Sequence, residues 1–66
     1  MIFEGVVEGM TCQHCVASVT EEVSELAGVS AVSVDLATGS LTVDSGVPLA
    51  REDVAAAVAE AGYRLR

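Results

Sequence analysis

The sequence predicts an α+β fold: a four-stranded antiparallel sheet with two helices on one face, in the order β-α-β-β-α-β. Three observations carry this. Apolar residues recur every three or four positions in two stretches. They alternate with polar residues in three others. Glycine or proline stands at the junctions between them. Only an arrangement with both helices on the same side of the sheet buries every apolar stripe at once.

Residues 2–8 predict the first strand. Phe3, Gly5 and Val7 face one way, Glu4 and Glu8 the other, and Gly9 ends the pattern. Gly5 is the weak point, because it adds no side chain to pack. From Cys15 to Ala27 the period lengthens. Val16, Val19, Val23 and Leu26 form a stripe, with Glu21, Glu22 and Glu25 off it, and Gly28 is expected to cap this helix. Residues 30–44 predict a hairpin. Val32, Val34 and Leu36 alternate in its first arm, Leu41 and Val43 in its second, and 37–39 form the turn. After Ser45, Gly46 and Pro48, a second helix is expected over roughly 50–61, with Val54, Val58 and Ala61 inward and no evident N-cap. Gly62 ends it, and "YRLR" is long enough for one short closing strand.

A chain of 66 residues is expected to be a single domain, 1–66. At that size a core alone supplies only about 3–5 kcal/mol. The net charge is −7, with three arginines and no lysine. That excludes a nucleic-acid surface, which needs a basic patch, and argues against anionic membranes. It suits a basic protein partner, or it serves solubility alone. No run approaches a membrane span, and the acidic N-terminus is no signal peptide. A cytoplasmic location is therefore expected, where thiols stay reduced. Met1 and the end at Arg66 point to a complete small protein rather than a piece of a larger one.

The chemistry lies in "GMTCQHC", residues 9–15, which holds both cysteines of the chain. Four roles are open: a disulfide staple, a redox couple, half of a zinc site, or a whole site for a softer ion. A staple closing so short a loop removes little unfolded-state entropy. A redox couple of the thioredoxin kind needs a longer chain, and Thr11 stands where an aromatic is usual. Zinc asks for four ligands, and the chain has no second cysteine pair and one histidine. Two thiolates by themselves suit Cu(I). Cys15, at the start of a helix, is expected to ionise more readily than a free thiol. His14 reads as an exposed loop residue, or as a third ligand or pH-sensitive modulator. Met10 reads as a flexible core plug, and Thr11 as a local hydrogen-bonding residue that shapes the loop. Tyr63 is either a core aromatic or a hydroxyl beside the site.

"GMTCQHC", the following "VASVTEEVSELAGVSAVSVDLATGSLTV" and the closing "AGY" together resemble the heavy-metal-associated domain family, and most of all its small bacterial copper chaperones. The resemblance spans nearly the whole chain. It implies a ferredoxin-like sandwich, with Cu(I) held near-linearly by Cys12 and Cys15. It implies that Met10 supports the loop from the core and that Tyr63 sits beside the metal. It also implies delivery, by ligand exchange, to a copper-transporting P-type ATPase or a copper-responsive regulator, with no enzymatic reaction. Zinc and cadmium relatives often carry an acid before the first cysteine; Thr11 favours copper. Alternatives within the family are a mercury- or zinc-binding relative and the metal-binding domain of a larger ATPase. Some members pair through shared copper. Gly5 replaces a residue that is often bulky, and the absence of lysine shifts docking to acids such as Glu21, Glu22 and Glu25.

Overall fold

A computed structural model describes all 66 residues. The elements are β1 (Ile2–Glu8), α1 (Gln13–Ser24), β2 (Val29–Val34), β3 (Ser40–Ser45), α2 (Arg51–Glu60) and β4 (Arg64–Leu65). The strands form one antiparallel sheet in the order β2-β3-β1-β4. This is the βαββαβ arrangement that the alternating patterns predict, and the ferredoxin-like sandwich that the resemblance implies. No helix is long and apolar enough to cross a membrane.

The register lines up the apolar residues on one sheet face. Phe3 sits opposite Val43, Gly5 opposite Leu41, and Val7 opposite Leu65. On the other side of β3, Val32 meets Val43 and Val34 meets Leu41. Both helices pack on that face, and the core is Val7, Val19, Val23, Leu41, Val43, Val54, Ala57 and Val58. A core of this composition gains stability from stiff, branched side chains that lose little rotamer freedom on burial. Gly5 is not a gap. A Cβ there would lie 3.0 Å from Leu65 and 3.2 Å from the Phe3 ring, so these two side chains occupy the space.

Three details depart from the sequence reading. Helix α1 begins at Gln13, two residues early, because the Cys12 carbonyl already accepts the amides of Cys15 and Val16. It also ends early. The Glu25 amide closes the last turn on the Glu22 carbonyl and the Leu26 amide on that of Val23, and Gly28 lies in the following turn, where the Val29 amide bonds the Leu26 carbonyl. Gly28 therefore redirects the chain into β2 and does not cap the helix. Leu36 is not in β2. The Asp35 carboxylate accepts the Ala37 amide and the Asp35 carbonyl accepts the Gly39 amide, so the chain turns from Asp35 onward.

The end of α2 matters most for the site. Gly62 has φ +93, the Gly62 amide bonds the Ala59 carbonyl, and the Tyr63 amide bonds the Val58 carbonyl. This pair of bonds is the Schellman stop, which needs a left-handed residue where Gly62 stands. It turns Tyr63 back toward the loop that follows β1.

Candidate metal centre

The loop after β1 and the first turn of α1 place the two cysteines differently. Cys12 is the N-cap of α1, with extended backbone, an exposed side chain and no side-chain capping bond. Cys15 lies four residues before Val19 on the buried stripe of the helix and is 7% exposed. The apolar stripe therefore includes a thiol, and Val16, predicted inward, is only half-buried. One sulfur is anchored by the core and the other is free to move. They lie 3.5 Å apart.

The surroundings favour a thiolate at Cys15. Its pKa is pushed down to about 6, first by the Thr11 amide, which donates to the sulfur across 3.5 Å, and then by the Tyr63 hydroxyl. Burial opposes this shift, and the Cys12 side chain and amide add smaller support. The direction agrees with the sequence reading, but the leading donor is the loop residue Thr11 and not an amide of the helix. The Thr11 hydroxyl is 3.9 Å from the same sulfur. Tyr63 in turn has its own pKa raised, mainly by its contact with Cys15 and then by burial.

The remaining candidates fall into two groups. Tyr63 packs against the core, and its hydroxyl helps to hold the Cys15 pKa down. Its ring also lies close to Gly9, where a Cβ would stand 3.4 Å from it. Met10 is half-buried and packs against the core. His14 is exposed, and no group of three or more His, Cys, Asp or Glu side chains is arranged to hold an ion. What the chain brings together is two sulfurs.

The model for the heavy-metal-associated domain matches residues 6–64. The chain belongs to the heavy-metal-associated domain family. It is 46% identical to the COP-associated protein of Helicobacter felis, over 89% of each chain. It is 47% identical to the copper chaperone CopZ of Bacillus subtilis, over 86% of this chain and 84% of that one. It also resembles a solved structure, the N-terminal domain of ZntA in the Zn(II) form, at 40% identity and a TM-score of 0.85, covering 98% of this chain and 88% of that one.

Two expected results follow from the geometry. Replacing Tyr63 with Phe removes a donor to Cys15, so its thiolate should appear at higher pH than about 6 in an ultraviolet titration. An unmoved titration would detach the hydroxyl from the site. The second concerns stability. Folded Cys15 releases its proton near 6, whereas in the unfolded chain the ordinary thiol value of about 8.5 applies. Between these values the unfolded state holds more protons, so stability should rise with pH and be lost as pH falls through about 6. Urea unfolding of the metal-free protein should show this rise, and Cys15→Ser should remove it.

Proposed function

We propose that this protein is a Cu(I) carrier of the cytoplasm, holding the ion between Cys12 and Cys15 and passing it to a thiol-bearing partner. The observation that carries this reading is the unequal pair: one thiolate seated by the core, one exposed at the helix N-cap, with no third protein ligand beside them. A soft ion content with two sulfurs suits that set. The likeness to the copper chaperone CopZ of Bacillus subtilis supports the same metal.

The sulfurs lie 3.5 Å apart, closer than two metal–sulfur bonds set in line. Cys15 is held by packing, so the adjustment to a linear arrangement falls to Cys12, which its exposed position permits. The same mobility serves release. An incoming partner thiolate adds to the ion as a third ligand, and then Cys12 lets go; Cys15 follows when a second partner sulfur arrives. The oxidation state of copper does not change, and no substrate bond is made or broken, so the activity is transfer and not enzymatic catalysis.

The partners that fit are the metal-binding domain of a copper-transporting P-type ATPase or a copper-responsive regulator. Glu21, Glu22 and Glu25 are the proposed docking acids. They lie nine to thirteen residues along from Cys12, roughly 14–20 Å at the helical rise, too far to touch the exchanging sulfurs. Their contribution is attraction at a distance. Glu22 already has its pKa raised, by burial and then by Glu25, Glu60 and Glu21, so this helical face gains from meeting positive charge. Reversing all three to lysine should slow copper transfer to an isolated ATPase metal-binding domain and weaken its salt dependence, with copper affinity unchanged. An unchanged transfer rate rejects the docking face. Absence of transfer from the unmodified protein rejects the carrier role.

One alternative has a specific observation behind it. Sulfurs 3.5 Å apart also match two corners of a tetrahedral site, and ZntA is a relative. Zinc would then need water or a partner to complete its shell. Thr11 offers no carboxylate for that purpose.

A further inference from the structure

The sheet has two edges, and they are treated differently. Strand β4 is two residues long, begins with Arg64 and is followed by Arg66, and both arginines approach Glu8. A short, charged strand of this kind is a poor template for another chain. Strand β2 reads VSAVSV and is the only strand without a charged residue. Its one irregularity, a register shift between Val29 and Ala31, leaves Ala31 to Val34 in regular pairing.

The hydrogen-bond pattern shows which backbone groups that edge leaves free. On its β1 side, β3 uses its odd-numbered residues: Ser45 bonds Met1, and Val7 bonds Gly39. On its β2 side it uses the even ones, as the bond from the Asp35 amide to the Ser40 carbonyl shows. Antiparallel pairs alternate between bonded and non-bonded positions. Ser33 opposite Thr42 is therefore bonded, and Val32 opposite Val43 and Val34 opposite Leu41 are not. The amides and carbonyls of Val32 and Val34 point outward, with no partner elsewhere in the chain among the loop and side-chain bonds.

We propose that β2 pairs with β2 of a second copy of this chain, joining two sheets into one of eight strands. Free bonding positions at Val32 and Val34 are complementary to themselves under a two-fold axis through Ser33. Val32 of one copy then bonds Val34 of the other, and the reverse, giving four backbone bonds. Ser33 faces Ser33 of the second copy at the close, non-bonded position. The valines of both copies fall on the helix-bearing face and the serines on the open face. A second copy fits on two counts: the register matches itself, and the uncharged strand places no like charges opposite each other in the bonded segment. The pairing uses backbone groups of β2 and neither Cys12 nor Cys15. This pairing is thus different from one bridged by metal. Each chain carries −7, so the association strengthens as salt is added.

The test is the mass of the full-length protein in solution, measured by sedimentation over a concentration series with a metal chelator and a reductant present. The expected result is a reversible monomer–dimer equilibrium, shifted toward dimer by salt. Ser33→Lys places two ammonium groups face to face and should leave only monomer, with copper stoichiometry intact as the control for folding. A second variant set keeps the proposal decidable if the dimer is weak. In a Cys12→Ser, Cys15→Ser background, Ser33→Cys should cross-link in air, because non-bonded pairs hold their Cα atoms about 4.5 Å apart, within disulfide range. Ser18→Cys, on exposed α1, should not. Monomer at every concentration together with no preferential Ser33→Cys cross-linking overturns the proposal. So does a dimer that the chelator disperses, or one that Ser33→Lys leaves intact.

Discussion

Replacing either Cys12 or Cys15 with serine is expected to abolish tight Cu(I) binding, and the two variants should differ in everything else. Serine matches the thiol in shape but is a hard, protonated hydroxyl at neutral pH, so a single remaining thiolate must hold the ion. Cys12 is exposed and caps α1 through its backbone carbonyl, which serine keeps. Its variant should unfold within about 0.5 kcal/mol of the unmodified protein, as surface changes usually do. Serine is also a good N-cap residue, which works in the same direction. Cys15 sits on the buried stripe against the core. Its variant puts a hydroxyl where a thiol was packed, and should be the less stable of the two. Competition with a chromogenic Cu(I) chelator, alongside urea unfolding, separates the effects. Unmodified affinity in either variant removes that residue from the site.

The largest effect on stability is expected at Gly39, in the turn packed against the end of β1. This residue closes the turn between β2 and β3 with φ +76, and a Cβ there would lie 2.6 Å from the Val7 carbonyl oxygen. The obstacle is backbone, which cannot rotate away. It is also tied, since the Val7 amide donates to the Gly39 carbonyl at 2.8 Å. A left-handed conformation costs a non-glycine residue roughly 1–2 kcal/mol before any clash. With the clash added, Gly39→Ala should cost about 2–4 kcal/mol, against a core contribution of about 3–5 for a chain this small. Urea unfolding should show most of the molecule's stability lost. A loss under about 1 kcal/mol would mean that the β1–β3 seam adjusts more freely than its bonds imply.

The parts of this fold that were legible in the sequence are those set by period. Val32 and Val34, Leu41 and Val43, and Phe3 and Val7 alternate because one sheet face is buried, and the register confirms that they share it. The parts that were not legible depend on hydrogen bonds between near neighbours. Asp35 folds the chain into its turn through its own carboxylate, and so removes Leu36 from the strand that its apolar side chain suggested. Gly28 sits in a turn beyond the helix end, which backbone bonds at Glu25 had already set. At the site, the spacing of Cys12 and Cys15 was evident, whereas Tyr63 could be read either as a core aromatic or as a hydroxyl beside the site. The inequality of the two thiols was hidden. It arises because Cys15, four residues before Val19, belongs to the buried stripe, while the pattern of valines alone favoured Val16.

The measurement that tests the central claim most directly is an anaerobic competitive titration of the reduced protein with Cu(I), with Zn(II) run in parallel. Binding stoichiometry should be read together with molecular mass. Tight Cu(I) binding near one ion per chain and much weaker zinc are expected, because two sulfurs satisfy the first ion and leave the second half-ligated. Tight zinc with weak copper, or no binding of either, would contradict that claim.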